Sequence, residues 1–153
     1  MGRTNIGNQA FVTSPIDGSD FGGPNPIPPA QLPFMFASHT SFGLKAGDTP
    51  VTGEYEMWVA SNPGTLTGFH PKVTVPGSSA SVTVDLKKNG TSVLSSVVTL
   101  TNATSAGVPQ NATISSPTFA AGDRFTALLT VSSSTGMTGV STRLNGVENS
   151  QPL

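Results

Sequence analysis

The chain has 153 residues, of which 10% are charged, and its 7 Lys+Arg against 8 Asp+Glu give a formal net charge of −1. This length corresponds to about one domain, which buries about 70% of the surface of its unfolded chain, and it excludes two separate cores. The 17 Gly, 13 Pro, 19 Ser and 20 Thr favour strands and turns, and they exclude a helical bundle.

Charge and cysteine usage exclude several classes of function. A near-neutral chain has no basic stripe to neutralise nucleic-acid phosphates, and Lys87-Lys88 is its only adjacent basic pair. The absence of Cys excludes disulfides, thiolate metal sites and Cys nucleophiles. No stretch reaches the ~18 apolar residues of a membrane span, and residues 1–10 lack the apolar segment of a signal peptide. We therefore expect synthesis in the cytoplasm and no nucleic-acid or membrane partner.

Residues 1–33 are predicted to form an extended N-terminal arm. Prolines are dense between residues 22 and 29, where they remove amide donors and hold φ near the polyproline II value. A solvated tail would gain nothing from apolar side chains, so a protein surface is expected to cover them. The arm either folds back on its own domain or, as we favour, docks on a neighbouring subunit or another protein. The apolar residues expected at this interface are Ile6, Phe11, Ile16, Phe21, Ile27, Phe34 and Phe36.

Residues 34–153 show short alternating runs separated by turn residues about every ten positions, which is typical of a β-sandwich. Pro71 and Pro76 bound one of these runs and predict a short edge strand, preceded by a loop over residues 61–71. The domain is thus predicted to be all-β, a jelly-roll-like antiparallel β-sandwich of about seven or eight strands. The runs are residues 41–45, 54–60, 72–75, 81–87, 92–101, 112–115, about 125–131, and 140–144.

The clearest local prediction is a β-hairpin around Asn89-Gly90. A type I′ turn needs positive φ at both central residues, which this pair supplies between two strand-like runs. A turn is also expected at residues 121–123. Alternation then places three sets of side chains inward: Val82, Val84 and Leu86; Phe125, Ala127, Leu129 and Val131; and Val140, Thr142 and Leu144.

Few residues of the sequence suit catalytic chemistry. His39 and His70 are the only histidines, and we interpret both as polar surface or loop residues. Glu54 and Glu56 share one face of a strand, which would suit paired-carboxylate chemistry or a calcium site, although a solvated face is the favoured interpretation. We therefore predict no catalytic, metal or cofactor site.

Trp58 is the single tryptophan, and alternation places it on the outer face with Glu54 and Glu56. A flat aromatic ring beside carboxylates can stack on a sugar, and it can equally serve a protein interface. With one such aromatic on the face, the interface is favoured over the sugar site.

Three segments of the sequence resemble those of a known class of β-sandwich module. They are residues 80–95, containing Val84-Asp85-Leu86-Lys87-Lys88-Asn89-Gly90, then residues 119–125 with the Gly122-Asp123 turn, and residues 139–146. Over residues 54–146 the chain resembles a β-sandwich module of tailed-bacteriophage virion proteins, found in tail fibres, appendages and capsid-surface proteins. A scaffold resemblance implies function only by analogy.

This resemblance implies a structural protein of the virion, made in the bacterial cytoplasm. We expect a capsid decoration or cement protein whose arm docks on the major capsid protein and on further copies of itself, with a trimer as a plausible arrangement. One alternative is a tail or head-fibre component that contacts host-surface glycans. Another is a stand-alone carbohydrate-binding module. An enzyme is not expected.

Overall fold

The computed structural model describes residues 36–149, with side chains from Phe42 onward. This range forms one antiparallel sheet of 7 strands and no helix. The all-β antiparallel class is therefore confirmed, whereas the predicted arm over residues 1–33 lies outside the described residues. The strands are β1 (Phe36–Gly43), β2 (Gly53–Val59), β3 (Gly64–Lys88), β4 (Thr91–Ser92), β5 (Val98–Thr101), β6 (Thr118–Phe119) and β7 (Arg124–Glu148).

A long two-stranded ribbon of β3 and β7 organises the sheet. Each strand has 25 residues, and they pair from Gly64 opposite Glu148 to Lys88 opposite Phe125. β1 and β2 pair with opposite ends of β7, with Phe36 opposite Glu148 and Val59 opposite Arg124. β4, β5 and β6 all pair with β3. Every other strand of the described range is thus held by β3 or β7.

The ribbon is interrupted near its middle by a shift of register between Pro76 and Ser79. Gly77 and Gly136 face each other there with φ values of 78° and 69°, which ordinary side chains disfavour. A Cβ on Gly77 would run into the carbonyl oxygen of Thr135. The inserted residues and positive φ angles are the features by which a strand bends and changes direction.

The predicted short edge strand at residues 72–75 and the predicted loop at 61–71 are both wrong, because β3 runs through both prolines without ending. The reason is visible at Pro71, whose carbonyl accepts a hydrogen bond from Gln110 N at 2.7 Å. N–H and C=O of one strand residue point to the same side, so the missing proline N–H faces residues 107–112 and not β7. Pro71 therefore removes no hydrogen bond between β3 and β7.

One hydrophobic core forms from both halves of the ribbon. Phe69, Val73 and Leu144 from one half and Leu86 and Phe125 from the other are each at most 1% exposed and belong to the same cluster. The predicted inward sets are confirmed at nearly every position, with Val82, Val84, Ala127, Leu129, Val140 and Thr142 buried and Val131 half-buried.

The predicted hairpin is confirmed, with φ of 51° at Asn89 and 84° at Gly90 as a type I′ turn requires. The predicted return strand over residues 92–101 is wrong in extent, because pairing stops at Ser92 and resumes only at Val98. Val93 and Leu94 are both buried, and two consecutive inward residues cannot be accommodated by regular alternation. Similarly, the run at 112–115 retains only a single bridge, between Leu94 and Ile114.

Replacing Thr142 by Val is expected to stabilise the protein. Thr142 is 3% exposed, and its hydroxyl has no hydrogen-bond partner among the described residues. An isosteric methyl group removes this unsatisfied group, for an expected gain of about 1 kcal/mol in the free energy of unfolding. Urea denaturation with an unchanged slope would measure it.

The matched control is Thr126→Val on the same strand. Thr126 is 4% exposed, but its hydroxyl donates to Glu54 Oε1 at 2.6 Å, so this variant should lose stability. Equal effects of the two substitutions would contradict the assignment of an unsatisfied hydroxyl to Thr142.

Gly77→Ala is expected to destabilise the protein at least twice as much as Gly90→Ala. Both glycines have positive φ, which costs an alanine about 1–2 kcal/mol, but a Cβ on Gly90 meets nothing within 4 Å. A Cβ on Gly77 would in addition lie 2.6 Å from Met137 N. Denaturation midpoints of the two variants measure the difference, and equal losses would show that the bend is not tightly packed.

Candidate functional site

The predicted surface residues Glu54 and Glu56 are exposed on β2, and both are engaged by neighbouring strands. Glu54 Oε2 lies 3.8 Å from Lys87 Nζ, while its Oε1 accepts the Thr126 hydroxyl bond. Glu56 Oε2 accepts from Arg124 Nε at 2.7 Å. Each carboxylate thus has its own cation. Among the described residues, no three His, Cys, Asp or Glu side chains are grouped to hold a metal ion.

The prediction that Trp58 stands outward beside these glutamates is wrong. Glu56 pairs with Thr126 and Trp58 with Phe125, so Met57 is an extra residue in β2 that reverses the alternation. The Trp58 ring stacks on Phe125 with centroids 5.2 Å apart and meets the edge of Phe119 at 5.0 Å. Its half-buried ring therefore packs against the core.

The hairpin and the turn at residues 121–123 are bonded to each other, and we call this cluster the hairpin–turn lock (Lys88, Asn89, Ala120, Asp123, Arg124). Asn89 Nδ2 donates to Asp123 Oδ1 at 2.7 Å, and Asn89 Oδ1 accepts from Arg124 N at 2.9 Å. Asp123 Oδ2 accepts from Ala120 N at 2.9 Å and lies 3.9 Å from Lys88 Nζ. Two turns separated in sequence therefore form one polar unit.

Hydrogen bonding in the hairpin–turn lock makes its contribution dependent on pH. The backbone N–H of Ala120, and then the Asn89 amide, hold the pKa of Asp123 below its ordinary value of 3.8. A carboxyl whose pKa is lowered on folding stabilises the native state above its unfolded pKa, and this contribution is lost as pH falls through the lowered value.

Asp123→Asn is therefore expected to lower the free energy of unfolding at pH 7, and by less at pH 2, because the contribution of the Asp123 carboxylate is lost as the pH falls through its lowered pKa. Denaturation at both pH values measures this. The matched control is Asp48→Asn in the turn Ala46-Gly47-Asp48, which has the same three residues as the turn at 121–123 but whose carboxylate makes no hydrogen bond in the described part of the chain. A deficit of the same size at both pH values would contradict the role given to the Asp123 charge.

A cleft of about 760 Å³ lies on the outer face of the sheet where β1, β7 and β3 run side by side. We call it the basic cleft, and define it by Phe42, His70, Lys72, Pro109, Asn111 and Arg143. Residues 43 and 141–142 complete its lining.

Strand register places the charged residues of the basic cleft together. His70 is opposite Arg143 and Lys72 is opposite Ser141, so Lys72 and Arg143 are diagonal neighbours on one face. Phe69, Pro71 and Val73, which alternate with them, are buried on the other face. Residues 107–112 run along the free edge of β3, where Ala112 N donates to Phe69 O at 3.1 Å, and this places Asn111 next to His70.

The His70 ring is oriented by two neighbours. Its Nδ1 lies 2.8 Å from Asn111 Oδ1, and because a carbonyl oxygen can only accept, Nδ1 is the donor. Its Nε2 lies over Gly68, where any Cβ would collide with it. Gly68 thus provides the space in which the imidazole rests, and Asn111 holds it there.

Unbalanced positive charge is concentrated in the basic cleft, and among the other Lys and Arg of the described range only Lys45 also lacks a carboxylate partner. Lys87, Lys88 and Arg124 each have a carboxylate at 3.8, 3.9 and 2.7 Å. Lys72 and Arg143 have none in residues 36–149, and no carboxylate lines the cleft. Ammonium and guanidinium groups that lack an internal partner are suited to hold an oxyanion, the guanidinium through paired hydrogen bonds.

Sequence reasoning did not find the basic cleft. His70, interpreted as a surface or loop residue, is half-buried within β3, and Lys72, Asn111 and Arg143 were not singled out. The alternation of His70 and Lys72 could have shown that both side chains lie on one face of a strand. No pattern in the sequence shows that this strand pairs with the one that carries Arg143. The predicted arm residues Ile6 to Phe34 lie outside the described residues, and of Phe36 only the backbone, at the start of β1, is described.

Comparison of the chain with protein-family models, with curated proteins and with solved structures finds no match. Across residues 36–149 no helix is long and apolar enough to cross a membrane.

Proposed function

We propose that the protein is a structural protein of a bacteriophage virion, and specifically a capsid decoration or cement protein that stabilises the head by binding between major capsid proteins. We base this on the resemblance of residues 54–146 to phage virion β-sandwich modules. The hairpin–turn lock supports it, because the two motifs that carry the resemblance, at residues 84–90 and 119–125, are bonded to each other through Asn89 and Asp123. Motifs that recur together are expected to form one physical unit.

We also propose that the strands close into a jelly-roll-like β-sandwich. The ribbon bends at Gly77 and Gly136, and both of its halves supply side chains to one core. Two facing sheets that share a core are the arrangement of a sandwich.

The proposed partners are the major capsid protein and further copies of this chain, with a trimer as the arrangement to be tested first. In this proposal the arm of residues 1–33 lies on a neighbouring subunit. Many weak contacts on a repeating lattice gain avidity when an arm links adjacent sites. The protein would be made in the bacterial cytoplasm and located in the virion.

A second candidate is a tail or head-fibre component that contacts host-surface glycans, and the basic cleft is the observation that favours it. A concave, polar surface with cations offers hydrogen-bond donors and positive charge to a glycan. A stand-alone carbohydrate-binding module would use the same cleft outside a virion.

Quantitative mass spectrometry of purified particles is expected to find this chain at one copy per major capsid protein or at a simple fraction of it. A cement protein occupies equivalent positions over the whole lattice, which fixes that ratio. About a dozen copies would identify a tail or vertex component instead. Absence from the particles would contradict a virion role.

The arm is tested with the same particles by Phe11→Ser/Phe21→Ser in the full chain, which should weaken binding to stripped particles at least tenfold and leave thermal unfolding unchanged. Val108→Ser, at a residue of the domain that is 48% exposed, is the matched control. A fall in the unfolding temperature of the arm variant would show that the arm folds back on its own domain.

A further inference from the structure

The positive charge of the basic cleft has no structural role in the described part of the chain. Three cations near β2 and the hairpin–turn lock are neutralised by carboxylates, whereas Lys72 and Arg143 are exposed, without a carboxylate, and directed to the same face. As diagonal neighbours the two residues are expected about 7–8 Å apart, a spacing that two long side chains can close around one oxyanion.

The size of the cleft indicates more than a simple ion. Its volume of about 760 Å³ lies within the range of about 300–1,000 Å³ that is usual for small-molecule sites. Apolar contact is available from the exposed Pro109, whereas the Phe42 ring faces the core and stacks on Tyr55 with centroids 4.2 Å apart. The ligand should therefore have both an anionic group and a body with apolar and hydrogen-bonding surface.

Asn111 provides the hydrogen bonding for that body. Its Oδ1 is occupied by His70 Nδ1 at 2.8 Å, which leaves the amide nitrogen to donate. A hydroxyl group of a sugar can accept from such a nitrogen, and the carbon-bound hydrogens of a pyranose can pack on the ring of Pro109.

We propose that the basic cleft binds an acidic saccharide, with its carboxylate held by Arg143 and Lys72, its hydroxyl groups by Asn111, and its ring against Pro109. This site does not depend on the virion proposal, because it requires only residues of the cleft. A capsid protein and a fibre protein could both carry it.

The test is titration of the full-length protein with a galacturonate trisaccharide, followed by NMR chemical shifts and calorimetry. A trisaccharide of neutral galactose is the ligand control. The acidic sugar should bind at least tenfold more tightly, and the shifted backbone signals should include residues 70–72, 109–111 and 141–143. Equal affinity for the neutral sugar, or no binding of either, would overturn the proposal.

Two variants test whether binding requires the positive charge of the cleft itself. Arg143→Ala should reduce the affinity at least tenfold, whereas Lys45→Ala, which removes an equal charge from an exposed position outside the cleft, should change it less than twofold. Equal losses would show non-specific attraction and would contradict the site. Arg143→Lys should restore only part of the affinity, because a lysine keeps the charge but not the paired hydrogen bonds.

Inorganic phosphate distinguishes a saccharide site from a simple anion site. Phosphate should displace the trisaccharide only at concentrations far above those of the sugar. If phosphate bound as tightly, the saccharide assignment would be wrong.

The copy number in particles does not enter these measurements, so failure of the saccharide site and failure of the virion proposal are distinguishable. All variants are first checked for unchanged thermal unfolding, and shift mapping on the unmodified protein gives an answer that needs no variant.

Discussion

The pairing of β3 with β7 is the constraint on which the remaining structure depends. Every other strand of the described range finds its hydrogen-bonding partner on one of these two, and the buried faces of both halves of the ribbon meet in a single core. The paired residues are far apart in sequence, with Gly64 opposite Glu148 as the extreme case. Contacts of this kind form late and slowly, because the intervening chain must be ordered before they contribute. The hairpin–turn lock reduces the length of chain that must be ordered first, because it joins Asn89 to Asp123 at the end of the ribbon where β3 and β7 are closest in sequence.

Charge is distributed unevenly over this framework. Near the lock and along β2, each described Lys or Arg is matched to a carboxylate, so the charges there satisfy one another. Exposed pairs of this kind contribute little to stability individually. On the opposite end of the ribbon Lys72 and Arg143 are left without an acid, and the same regular alternation that buries Phe69 and Val73 brings them to one face. Strand register therefore creates the basic cleft as directly as it creates the core.

Local sequence patterns predicted much of the fold. The errors arose where the structure depends on the pairing of strands that are distant in sequence or on an extra residue within a strand. Asn89-Gly90 specifies its own turn, and alternation identified the inward residues of β7, because both depend on neighbours in sequence. Pro71 misled the strand prediction, since proline is tolerated whenever its nitrogen faces away from the ladder, and only the tertiary pairing determines that side. Trp58 was misplaced by one extra residue in β2, which no local pattern marks. The cleft was missed for the same reason as Pro71: the pairing of His70 with Arg143 joins segments that the sequence does not connect.

The pairing of Phe36 with Glu148 also determines how the domain responds to force. These residues stand at the same end of an antiparallel pair, so pulling them apart loads one pair of the ladder at a time. Strands pulled in this direction unzip in sequence, whereas strands pulled along their length must break all of their hydrogen bonds together. A load carried through these two positions would peel β1 from β7 before it reached the bend at Gly77. The central ribbon would remain paired while its outer strand yielded, so the domain would absorb strain at its edge and keep its core closed.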